Sequence, residues 1–103
     1  MQVEIHNDVE VFLNTLDAPT IAKTIRTIDL LEKFGFALRL PHSKPVAKGL
    51  FELRTRGQQE IRILYTFHKG SAVLLHGFVK KSQKMPAKEL RTGLIKMQQL
   101  DRT

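Results

Sequence analysis

The stretch EIRILYTFHKGSAVLLHGFVKK (residues 60–81) decides the fold. Its first part alternates, with Ile61, Ile63, Tyr65 and Phe67 on one face and Arg62, Leu64, Thr66 and His68 on the other. That is the period of a strand and not of a helix. His68-Lys69-Gly70-Ser71 supplies a hairpin turn, and AVLLHGFVKK (72–81) returns as a second apolar run. The run ends unusually: Lys80, Lys81 and then Lys84 gather where a strand leaves the core. They are either a solvated strand end or a seat for phosphate.

Upstream of the hairpin, GLFELRTR (49–56) reads as a further strand, joined to it by the glycine turn RGQQE (56–60). LPHSKPVAKG (40–49) holds two prolines and reads as a connecting loop. Before it the period changes to that of helices. Asn7 or Asp8 can cap a short helix with Val9, Phe12, Leu13 and Leu16 on one face. Asp17-Ala18-Pro19 is a break and restart, with Pro19 at the first helical position. A second helix then presents Ile21, Ile25, Ile28 and Leu31, and Gly35 closes it. Downstream, Pro86 starts a helix through about Leu100, with Leu90, Leu94 and Met97 inward. MQVEI (1–5) is a candidate fourth strand. The expected fold is α+β and one domain over residues 1–103. An N-terminal helical hairpin packs on a three- to four-stranded antiparallel sheet with a C-terminal helix, the helices covering one face.

Composition narrows the function classes. At 103 residues and 42% hydrophobic, the chain can bury a core without staples. No apolar run is long enough to span a membrane, and MQVEIHNDVE (1–10) is too acidic and polar for a secretory signal. Without cysteine there is no disulfide framework or thiolate metal site, which fits a reducing cytoplasm. His42, His68 and His76 have no metal-ligand spacing, so neither metal nor cofactor is expected.

Charge is the informative quantity. Residues 1–34 carry three basic and six acidic side chains, a net −3; residues 35–103 carry fourteen and four, a net +10. Such a segregated field attracts polyanions. No basic amphipathic helix concentrates the charge for a membrane surface, so nucleic acid is the expected partner. The cations also interrupt strands, which core-facing strands ordinarily exclude. Arg54 and Arg56 share one strand face, and antiparallel pairing brings one of them opposite Arg62, an unfavourable meeting unless an anion completes it. The alternative is a simple pairing of Arg62 with Glu52 across the sheet. His76 reads as a strand side chain with a satisfied nitrogen, and Phe51, Tyr65, Phe67 and Phe78 are first of all core candidates.

GLFELR (49–54), RILYTF (62–67) and LLHGFVKKSQKMPAKEL (74–90) together resemble the RelE/ParE superfamily of bacterial toxins. The chain looks most like the phage-associated HigB-like branch, with the pattern G-L-x-E-L-R, R-x-x-Y and G-F-x-K-K-[ST]-x-K-x-P-x-x-E. The likeness spans about residues 44–97. It implies an antiparallel sheet packed by N-terminal helices. It also implies a toxin that cleaves messenger RNA in the ribosomal A site and is held inactive by an antitoxin, often a helix-turn-helix protein, in a hetero-oligomer.

RNA cleavage of this kind sets the ribose 2′-OH on the neighbouring phosphate, so the protein must orient the hydroxyl, move protons and stabilise charge on phosphorus. Carried onto this chain, Arg54, Arg62, Lys80 and Lys81 are the phosphate and transition-state candidates. Tyr65, the only tyrosine, completes the catalytic set, although it alternates with Ile61 and Ile63 toward the core. Arg56, Phe78, Lys84 and His76 are the further RNA-binding candidates. Several relatives place a Tyr or His near the C-terminus; MQQLDRT (97–103) has neither. Gly93 stands where alanine is common, at a cost of about 1 kcal/mol in a helix. The rival readings are a ParE-like gyrase inhibitor without catalysis and a small RNA-binding domain without toxicity.

Overall fold

The computed structural model describes residues 1–101. The elements run β1 (Gln2–Ile5), α1 (Asn7–Leu13), α2 (Ala18–Phe34), a 3-10 turn (Gly35–Ala37), β2 (Ser43–Ala47), β3 (Leu50–Thr55), β4 (Ile61–His68), β5 (Ser71–Val79) and α3 (Ala87–Leu100). The α+β class is as expected. The sheet is larger: five strands in the order β1-β5-β4-β3-β2.

The central hairpin follows the alternation. β4 and β5 are antiparallel from Ile61↔Val79 to His68↔Ser71, and Lys69 (φ 50°) with Gly70 (φ 81°) turns the corner. Positive φ at both positions is the two-residue turn whose twist matches the strands. β3 adds antiparallel to β4, and β1 lies parallel to β5, so the sheet is mixed and not purely antiparallel. The fifth strand sits inside the segment expected as a loop. Residues 43–47 pair with β3 from the sheet edge, where Pro45 needs no donor on its outer side.

Helix boundaries are set by caps. His6, not Asn7 or Asp8, caps α1: its Nδ1 accepts the Asp8 N–H at 3.0 Å. Asp17 caps α2, accepting the Thr20 N–H at 3.0 Å, and Pro19 falls in the first turn. Gly35 ends α2 at φ 52°. The buried stripe of α2 is Thr20, Thr24, Thr27, Ile28 and Leu31, while Ile25 is exposed. Thr24 and Thr27 hydroxyls donate to the carbonyls of Thr20 and Lys23, which lets threonine be buried there without orphaned polar groups.

The helices cover both faces of the sheet, which corrects the expectation of one. Val9, Ile28 and Leu31 meet Leu53, Ile61, Ile63, Tyr65 and Leu74 on one side. On the other, Leu90, Leu94 and Met97 of α3 pack on Leu50, Leu64, Val73, Leu75 and Phe78. Both faces of β4 are therefore buried, and its second face keeps Arg62 in contact with a core. A bulge sets Leu64 opposite His76 and Tyr65 opposite Leu74, leaving Leu75 as the extra residue. Lys96 of α3 donates to the Leu75 carbonyl at 3.1 Å and to Asp8 of α1 at 2.7 Å, linking helices on opposite faces.

Candidate functional site

The strand cations converge at one end of the sheet, on the α3 face and beyond the reach of α3 itself. Arg54 of β3 stands directly opposite Arg62 of β4, and Arg62 is opposite Phe78 of β5. The chain leaving β5 is held there by the Lys80 N–H, which donates to the Glu60 carbonyl at 2.8 Å. The result is a cleft of about 580 Å³ lined by Arg54, Arg56, Glu60, Arg62, Lys80, Lys81, Ser82 and Gln83. Both lysines that end β5 line it, so the cleft takes them from the loop after the strand and not by strand alternation. Five cations face one carboxylate across this cleft.

Glu52 lies beneath. It is 2% exposed, and its Oε1 is 3.6 Å from Arg54 Nε and 3.7 Å from Arg62 Nε. Arg62, 3% exposed, also reaches Glu60 Oε1 through Nη2 at 3.3 Å and the Ile61 carbonyl through Nη1 at 3.0 Å. Arg56 Nε is 3.9 Å from the same Glu60 oxygen. The Arg62–Glu52 pairing weighed from the sequence is thus present, but shared: one buried carboxylate serves two arginines. The 3.6 and 3.7 Å separations are ionic contacts too long for hydrogen bonds, and Glu52 Oε2, Arg54 Nε and Arg62 Nε have no hydrogen-bond partner among the described residues. With two arginines on one buried carboxylate and further cations around the cleft, positive charge is in excess here, which suits a site that receives an anion. Guanidinium forks and ammonium groups around a cleft this size fit a phosphate or phosphodiester.

The remaining candidates fall elsewhere. Tyr65 is on the opposite face, 1% exposed, its hydroxyl bonded to Ser43 Oγ. Burial pushes its pKa above the ordinary value of 10, opposed by that hydrogen bond. Phe78 is 6% exposed and packs under α3. His76 stacks on Phe78 with ring centroids 5.8 Å apart, and its Nε2 is 3.2 Å from Glu89 Oε1. Lys84 is exposed outside the cleft lining. Glu60, Ser82 and Gln83 are the lining residues that sequence reasoning passed over. For Glu60 the signal was the glycine turn of residues 56–60, which folds it back toward Arg56. Among the described residues no group of three or more His, Asp or Glu could hold a metal ion.

No helix among the described residues is long and apolar enough to cross a membrane. None of the curated proteins matches the chain. The family model for phage derived protein Gp49-like (DUF891) matches residues 11–98, leaving out only the first ten and last five, and so takes in every residue of the cleft. The chain belongs to this Gp49-like family of phage-derived proteins, a RelE/HigB-like family associated with toxin–antitoxin systems and hence with an antitoxin partner.

Proposed function

We propose that the protein is the toxin of a type II toxin–antitoxin system, of the HigB-like branch, and a ribosome-dependent endoribonuclease acting in the cytoplasm. The observation that carries this reading is the Arg54–Arg62 juxtaposition on one cleft with Lys80 and Lys81. In the reaction a ribose 2′-oxygen bonds to the adjacent phosphorus, the P–O5′ bond breaks, and a 2′,3′-cyclic phosphate and a 5′-hydroxyl result. Arg54 and Arg62 stabilise the charge that grows on the phosphoryl oxygens, with Lys80, Lys81 and Arg56 holding the flanking phosphates. Tyr65 has no part in this scheme, because the sheet separates it from the cleft. Glu60, whose carboxylate lines the cleft, is the proposed acceptor of the 2′-OH proton, and the ammonium of Lys80 or Lys81 the proposed donor of the proton that the leaving 5′-oxygen takes. A helix-turn-helix antitoxin with an acidic segment is the proposed partner, masking the basic end of the sheet in a hetero-oligomer.

Mapping messenger 5′ ends after brief expression tests the reading. Codon-phased cuts on translated messages are expected, and they should disappear in Lys81→Ala, whose exposed side chain can be removed without touching the core. Intact messages with relaxed or damaged DNA would instead identify a gyrase inhibitor. A binding-only RNA protein has one observation in its favour, since no His or Tyr among the described residues lines the cleft. It would bind RNA and leave messages uncut.

A further inference from the structure

A second concavity of about 290 Å³ lies between α2 and the end of β3, and the proposed chemistry does not use it. Leu30 and Pro41 give it apolar walls; Lys23, Arg26, Arg54 and Arg56 give it a cationic rim. No carboxylate among the described residues lines it, in contrast to Glu60 in the cleft. Arg54 and Arg56 line both, so the two concavities share a wall. The pairing of β2 with β3 reaches only Leu53, followed by the Arg54 N–H on the His42 carbonyl, and the chain at Thr55 and Arg56, where β3 ends, runs on past β2. A chain lying in the cleft can therefore cross that end without meeting another strand.

Lys23 and Arg26 belong to the otherwise acidic first third of the chain, yet they converge on this spot. They are three apart on α2 and so share a face. Lys23 arches over the turn after β3: a Cβ on Gly57 would lie 3.2 Å from its Nζ. Neither side chain has an ion pair among the described residues. An apolar slot with a cationic rim and no anion matches a ligand that is flat and apolar in one part and anionic on either side, as a nucleotide in a single strand is.

We infer that the slot between α2 and the end of β3 is a nucleotide subsite. It takes one base of a single-stranded RNA against Leu30 and Pro41, while Lys23 and Arg26 hold the phosphates beside it. The strand continues into the cleft past Arg54 and Arg56. The inference rests on the reading of the cleft as an RNA site and adds to it a second binding surface, on the other side of β3.

The test is fluorescence anisotropy of a labelled hexanucleotide RNA on the full chain, over a salt series. The variants are Lys23→Ala/Arg26→Ala together and Lys81→Ala alone, with thermal melts confirming the fold; alanine is the better helix former at both α2 positions. The α2 pair should weaken binding by roughly tenfold and lower the salt slope by about 1.4, since each single-strand phosphate no longer neutralised removes about 0.7. A scan of single abasic sites in the RNA should find one position where removing the base weakens the wild type and leaves the α2 variant unchanged. Unaltered affinity in the α2 variant, with Lys81→Ala weakened, sinks the subsite and spares the cleft. Equal abasic effects in wild type and variant also overturn it, because the cations then only steer. A wild type that binds an acidic peptide and no RNA removes the subsite and the proposed function together.

Discussion

Arg54 and Arg62 stand directly opposite each other in the β3–β4 ladder, and the buried carboxylate of Glu52 touches both. Two like charges in register repel, so this end of the sheet depends on the one acid beneath it. Glu52 is the partner that lets the two arginines stand in register.

Glu52→Gln should therefore destabilise the protein by roughly 3–5 kcal/mol, the range for removing one member of a buried ion pair. Urea unfolding measures it. Inorganic phosphate or sulfate should restore more stability to the variant than to the wild type, since an anion bound to the native state alone raises its apparent stability. Equal anion effects on both proteins would mean that the two arginines are not open to the cleft. Arg62→Ala carries a related liability, because it leaves the buried Glu52 with Arg54 alone, so loss of toxicity in that variant alone says little about RNA.

Much of this is legible in the sequence alone. The hairpin of residues 60–81 follows from a clean period of two, and the inward set of α3 from a period near 3.6. β2 is not legible: SKPVA has no alternation, and its strand character comes from pairing at an edge that only the folded sheet creates. The choice of threonines over Ile25 on α2 is hidden for a related reason. Periodicity cannot separate neighbouring stripes when the buried threonines satisfy their own hydroxyls within the helix. At the site, Arg54, Arg62, Lys80 and Lys81 can be grouped from their strands, and the alternation of residues 61–68 already sets Tyr65 on the face opposite Arg62. What the alternation does not carry is that helices cover both faces, which leaves the Tyr65 side fully packed.

Gly93 has a packing reason. A Cβ there would lie 2.6 Å from Leu64 Cδ1 and 3.3 Å from Leu50 Cδ2, both buried side chains of the sheet beneath α3. Gly93→Ala gains about 1 kcal/mol of helix propensity and meets an overpacking cost of about 1–3 kcal/mol. A net loss of stability is expected in urea. The sign should reverse in a Leu64→Ala background, where the methyl finds room; a stabilising Gly93→Ala in the wild type would mean that Leu64 yields freely.

The acid limb of stability should report the Asp8–Lys96 link. The hydrogen bond and charge of Lys96 hold the Asp8 carboxyl below its ordinary value of 3.8. A carboxyl depressed in the folded state binds its proton more readily when unfolded, so its contribution is present above about pH 5 and fades as the pH falls through the lowered value. Asp17, lowered by its hydrogen bonds to Thr20, acts in the same window. Asp8→Asn should flatten the melting temperature against pH below about 5 and also lower it near neutrality. A variant with the wild-type acid profile would show that the link contributes nothing in solution.

Glu60 is placed to show whether the cleft does chemistry or only binds. Its carboxylate contacts Arg62 Nη2 at 3.3 Å and Arg56 Nε at 3.9 Å, and it faces the same space as Lys80 and Lys81. Glu60→Gln leaves the shape and removes one negative charge from the proposed RNA site, so RNA should bind more tightly, with a steeper salt dependence. If the carboxylate takes the proton from the 2′-oxygen, single-turnover cleavage on translating ribosomes should fall by about 10²–10⁴ at the same time. Tighter binding with slower cleavage is the expected pair, and a purely structural carboxylate would not produce it. Tighter binding at an unchanged rate would confine Glu60 to holding the two arginines and leave the 2′-OH proton to another group. Weaker binding would mean that Arg56 and Arg62 need this tether to face the RNA at all.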